Sequence, residues 1–158
     1  AHPRHIPRER PWRSPGSTWR GVLAFDCNIR RLFASVGKNV LVVGNADSGA
    51  VQATLPIGAG TDGAAFDPQR RRAFSSNGQD GTLSIIQEQD ARTFISLGSI
   101  PTAPLARTMG IDPASGRIYL VTADIDASAP TEPANAPGPH RPHILQGSVK
   151  LLFLDPVN

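Results

Sequence analysis

The stretch "DGAAFDPQRRRAFSSNGQDGTLSII", Asp62 to Ile86, carries a skeleton that the chain uses three times. An apolar pair precedes an Asp. Five residues later comes an Arg, and two places beyond it an aromatic. The same order occurs upstream in "VLAFDCNIRRLF", ending at Phe33, and downstream in "TMGIDPASGRIY", ending at Tyr119. The repeated acids are Asp26, Asp67 and Asp112, spaced by 41 and 45 residues. A period in the forties without a helical signal predicts propeller blades of about four strands each.

The chemistry inside each copy supports that reading. "FDPQRRR" and "IDPASGR" have turn composition: Asp bonds back to nearby backbone, Pro presets φ, and Gly or a polar residue completes the bend. The turn joins a short apolar strand to a second strand that carries the aromatic. A third strand follows at "NVLVVG", "GTLSII" and "GSVKLLFL". The runs Val40 to Val43 and Leu151 to Leu154 do not alternate, which predicts strands covered on both faces. "NADSG" reads as a hairpin turn into an outer strand, "AVQATLPIG", and "QEQDARTFISLGSI" fills the same role in the second copy. The third copy has no fourth strand, and between its second and third strands lies a Pro-rich insertion, 123–146, expected to be an extended surface loop. The fold class expected is therefore all-β, a partial β-propeller of about three antiparallel four-stranded blades, the last incomplete. The blades occupy about 21–60, 61–105 and 106–158.

Composition is compatible with this. Gly and Pro number fifteen each, and no apolar run approaches the eighteen or so residues of a membrane span. The single Cys27 excludes an internal disulfide; it stands where the other copies have Pro68 and Pro113, which makes it a turn residue. Residues 1–20 hold five Arg and one acid, whereas the rest of the chain holds eleven Lys and Arg against twelve acids. The positive charge belongs to this leader, which reads as disordered. Contact with nucleic acid or an anionic surface would run through it alone. Trp12 and Trp19 are its only large apolar groups suited to docking on the domain.

"LPIGAGTDGAAFDP", "FSSNGQDGTLSII", "ARTMGIDP" and "RIYLVTAD", followed by a Pro-rich stretch and "ILQGSV", resemble the C-terminal part of YncE-like proteins of the YVTN family of β-propeller repeats. The resemblance covers about Gly21 to Pro156. It implies a seven-bladed ring, export to the periplasm or cell surface, and no shared catalytic set. It also implies that about three blades are present here, a fragment or a truncated product, because family members close the ring with an N-terminal strand that completes the last blade.

Candidate chemistry is sparse. Asp62 and Arg107 each lie five residues before a repeat Asp, at the start of an innermost strand. That position borders the central channel, where the pair either bonds structurally or meets a polar ligand. His140 and His143 in "HRPH" are the candidate metal ligands, against the simpler reading of a solvated loop. Asn77 and Asp80 read as hairpin residues. "GAGTDG" joins two strands and opens no helix, so a phosphate loop fails its context. No cofactor is called for. The function expected is a non-catalytic module binding a protein or small ligand on one ring face. The alternative is a propeller enzyme or cofactor-bearing oxidoreductase subunit, lactonase-like or related to haem proteins and quinoproteins. Uncovered blade faces, drawn from Val40 to Val43 and Leu151 to Leu154, lead to an expectation of self-association.

Overall fold

The computed structural model describes residues 21–36, 39–129 and 142–157. The leader, with Trp12 and Trp19, and His140 with the rest of 130–141, lie outside the described residues. Eleven strands form three sheets. The first holds β1 (Val22–Asp26), β2 (Arg31–Val36), β3 (Val40–Asn45) and β4 (Val51–Pro56). The second holds β5 (Thr61–Asp67), β6 (Arg72–Asn77), β7 (Thr82–Glu88) and β8 (Phe94–Pro101). The third holds β9 (Met109–Ile111), β10 (Ile118–Thr122) and β11 (Lys150–Leu154). Every sheet is an antiparallel meander in chain order. β1 packs beside β5, and β5 beside β9, so the first strands of successive sheets are neighbours. This is a partial propeller of open blades, with three strands in the third blade among the described residues.

The repeated skeleton is a repeated turn. The amide of the residue two beyond each repeat Asp donates to its Oδ1: Asn28 to Asp26 at 2.8 Å, Gln69 to Asp67 at 2.9 Å, and Ala114 to Asp112 at 3.0 Å. Four residues past the Asp, the chain turns left-handed at Arg30 (φ 55°), Arg71 (φ 55°) and Gly116 (φ 77°). That reversal returns the chain as the second strand. The backbone requirement recurs while the residue filling it changes. Cys27 sits in the first of these turns, exposed, as its alignment with Pro68 and Pro113 implies.

The aromatic seven places past each Asp faces the next blade. Phe33 is fully buried; it stacks on Phe66 of the second blade at 5.2 Å and meets Phe94 edge-on at 5.9 Å. Phe74, 7% exposed, packs with Ile118, Leu120 and Ile111 of the third blade. Tyr119 occupies the equivalent register position but is only half-buried, against Phe153 of its own blade. Two apolar cores result, one at each blade junction.

Two expectations need correcting. Leu151 to Leu154 alternate after all: Leu152 and Leu154 face the second blade, while Leu151 and Phe153 are 49% and 56% exposed, because no blade lies beyond them among the described residues. The bare face of the first blade is carried by Leu23 (58% exposed) and Phe25 (44%), not by Val40 to Val43. Leu41 and Val43 belong to the first core, and Val42 is shielded by its ladder neighbours Ala34 and Thr54.

Candidate functional site

A meander places alternate connections at opposite ends of each blade. The Asp turns lie at one end. The other end of the ring carries the links β4–β5, β6–β7, β8–β9 and the β10–β11 insertion. These links are knitted together. Gly78 donates its amide to the Gly60 carbonyl at 2.9 Å, Leu105 donates to the Gly78 carbonyl at 2.8 Å, and the Ala59 amide donates to Asp80 Oδ2 at 2.6 Å. Asp80 is thus a hairpin residue that also holds a neighbouring link.

Asp62 and Arg107 meet at this end, at the inner rim between the second and third blades. Arg107 Nη1 stands 3.3 Å from Asp62 Oδ2, with the two side chains 41% and 32% exposed. The Arg107 stem lies on Gly78, where an added Cβ would fall 2.3 Å from Arg107 Cγ. A side chain at position 78 would therefore lift the guanidinium out of place. The Arg107 carbonyl accepts a bond from the Ser76 hydroxyl, which anchors the residue's backbone to the second blade. Its Nε is buried without a hydrogen-bond partner among the described residues.

The pair lines a cavity of about 490 Å³. Thr61, Gln79 and Leu105 form further wall, and Ile125 and Pro142, one from each arm of the insertion, also line it. The arms are held as a short stem. Ile125 and Ile144 form a bridge, the Asp126 amide donates to the His143 carbonyl at 2.8 Å, and the Leu145 amide donates to the Asp124 carbonyl at 2.9 Å. Lys150 pairs with Asp124 at 2.6 Å where the stem leaves the sheet. The insertion, expected as a plain extended loop, is ordered at its base by these bonds. Chemically, the cavity lining offers one cation, one anion, a primary amide and apolar groups from Leu105, Ile125 and Pro142. Its volume lies in the range of small-ligand sites.

His143 is exposed on this stem, and His140 lies outside the described residues. Among the described residues no group of three His, Cys, Asp or Glu gathers as a metal site. Asn77 is a hairpin residue, paired with Thr82 where β6 turns into β7. It is fully buried at the end of β6, and its Nδ2 donates to Thr82 Oγ1 at 3.0 Å and to Ser84 Oγ at 2.8 Å. Sequence reading also missed Glu88, whose side chain is 1% exposed and accepts from Arg71 Nε at 2.8 Å. Burial pushes the Glu88 carboxyl above its ordinary value; the Arg71 hydrogen bond opposes this and the nearby Asp26 charge adds to it. Glu88 lies at the opposite end of the blade from the cavity.

No family model matches the chain, and no curated protein matches it. Solved structures do. Kuenenia stuttgartiensis hydrazine synthase superposes with a TM-score of 0.56 at 14% identity, over 64% of this chain and 28% of that one. A chain of the mitotic checkpoint complex superposes with a TM-score of 0.55 at 18% identity, over 62% of this chain and 31% of that one. This chain therefore spans less than a third of either relative's length. Both neighbours are propeller-type proteins, and at these identities the likeness concerns the fold alone. The chain is a β-propeller module. Among the described residues no helix is long and apolar enough to cross a membrane.

Proposed function

We propose that the chain is a non-catalytic binding module of the YncE-like, YVTN-repeat kind, acting in the periplasm or at the cell surface. Its ligand is a small polar molecule held in the ring-face cavity between the second and third blades. The observation that carries the reading is the Asp62–Arg107 pair on the wall of a cavity that Ile125 and Pro142 also line. A single exposed ion pair contributes little to stability. Here it is set where a ligand with an anionic or cationic group exchanges one partner for itself. The motifs quoted from Leu55 to Val149 support the family and the location.

The test is an amide chemical-shift screen of the isotopically labelled full chain against small carboxylic acids, amines and sugars. Binding should move Asp62, Gln79, Arg107 and Ile125 together, and Arg107→Ala should abolish the response to acids. Shifts confined elsewhere, or none, would overturn the reading. An absorption spectrum and a metal assay on the same sample address the enzyme alternative. A haem band or stoichiometric metal would make the module an oxidoreductase subunit instead.

A further inference from the structure

Arg107 is firmly held and loosely partnered. Its stem is seated on Gly78, its carbonyl is fixed by the Ser76 hydroxyl, and the neighbouring Ala106 is fully buried. Yet Nη1 comes no nearer to Asp62 Oδ2 than 3.3 Å. Charge-assisted bonds are usually about 2.7–2.9 Å long. Elsewhere in the chain Arg71 and Arg117 meet their carboxylates at 2.8 Å and 2.6 Å. Two residues before Arg107, Leu105 is held at φ 63°. A residue with a Cβ disfavours that left-handed region, and one kept there marks a place where position matters. The outcome is a Leu on the cavity lining, fixed by its amide bond to the Gly78 carbonyl at 2.8 Å.

The described lining thus carries one full charge of each sign, 3.3 Å apart, beside apolar groups. An α-amino acid has a matching pair of charges. Its ammonium nitrogen and carboxylate oxygens are joined through one Cα and stand about 3 Å apart by standard bond lengths. Laid antiparallel on the wall pair, it sets each of the four charges against an opposite one. A plain carboxylate gains Arg107 but meets the Asp62 charge, and a plain amine meets the reverse. A dianion finds one cation with an anion beside it. We infer, on the footing of the ligand reading above, that the ligand is an α-amino acid with an apolar side chain. Arg107 takes its carboxylate, Asp62 takes its ammonium, and Leu105, Ile125 and Pro142 receive its side chain.

The probes are leucine, its deamino analogue isocaproate and its decarboxy analogue isoamylamine. Each is titrated into the labelled full chain and followed by the amide shifts of Asp62, Gln79 and Arg107. Leucine should bind roughly fivefold or more tightly than either analogue, the scale of one exposed ion pair. Asp62→Asn should erase the preference for leucine over isocaproate while both still bind. Should that variant fail to fold, the series on the unaltered chain decides alone. If an analogue or a sugar binds at these residues as tightly as leucine, the inference fails and the cavity stands as a ligand site of another class. If no probe moves these amides, the inference falls together with the ligand reading.

Discussion

Phe74 and Tyr119 hold the same register position, and their surroundings set their worth. Phe74 is enclosed between two blades, so Phe74→Ala should cost about 3–5 kcal/mol. Among the described residues Tyr119 packs on Phe153 of its own blade, and Tyr119→Ala should cost clearly less; denaturant melts of both variants provide the comparison. Equal losses would mean that Tyr119 is covered by something else. Glu88 gives a pH-dependent test. Its carboxyl is raised above the ordinary value in the folded chain, so the native state holds the proton more tightly than the unfolded one. The resulting stability is complete at acid pH and is lost as pH rises from about 4.5, the ordinary value, through the folded value. Glu88→Gln should remove that decline, seen as a flatter plot of denaturant midpoint against pH; an unchanged slope would rule Glu88 out. The Asp turns were legible in the sequence because their chemistry is local, spanning a few residues. Glu88 was not, since the charged groups that meet it, Arg71 and Asp26, lie 17 and 62 positions away with no periodic mark.

Between elements, the blade junctions combine apolar packing with buried hydroxyls. Ser35 of β2 and Ser75 of β6 lie 3.0 Å apart, and Ser75 also meets Thr61 of β5 at 2.7 Å. Ser35→Ala leaves Ser75 its bond to Thr61, so the loss should be modest, about 0.5–1.5 kcal/mol. Ser75→Ala takes a partner from Ser35, Thr61 and Asn77 and should cost more; a double-mutant cycle with Ser35→Ala should show coupling of at least about 0.5 kcal/mol. Additive losses would mean that the two hydroxyls do not interact. The insertion should behave differently. Joining Asp126 to His143 through a short Gly turn keeps the Ile125–Ile144 bridge and removes no ladder pair among the described residues. Thermal melting should move by only a few degrees, and a collapse of the fold would assign the removed residues a structural role. The position of the insertion could be read from its prolines. Its stem could not, because Ile125 and Ile144 pair across 18 intervening residues of irregular sequence.

For the molecule as a whole, three copies of one skeleton were enough to fix three sheets, their order and the missing outer strand. The direction of the bare faces was not legible. "KLLFL" looks apolar on both sides, and only the presence of one neighbouring blade separates Leu152 and Leu154 from Leu151 and Phe153. If copies associate through those faces, the melting temperature should rise with protein concentration, because mass action favours the associated native state. A melting temperature constant over a hundredfold range would contradict association. The plain meander has one more effect, on the order of events during synthesis. Each strand pairs only with its neighbours in the chain, so a sheet needs nothing downstream of itself to form. Hairpins close in about 1–10 μs, whereas a ribosome adds roughly 5–20 residues per second. The first sheet is complete at Pro56 and the second at Pro101. The first sheet therefore stands alone for several seconds before Phe66 and Phe94 emerge to cover Phe33. A nascent chain stalled after Pro56 would present Phe33 and Val43 to any chaperone at the tunnel mouth, and one stalled after Pro101 would present Phe74 in their place.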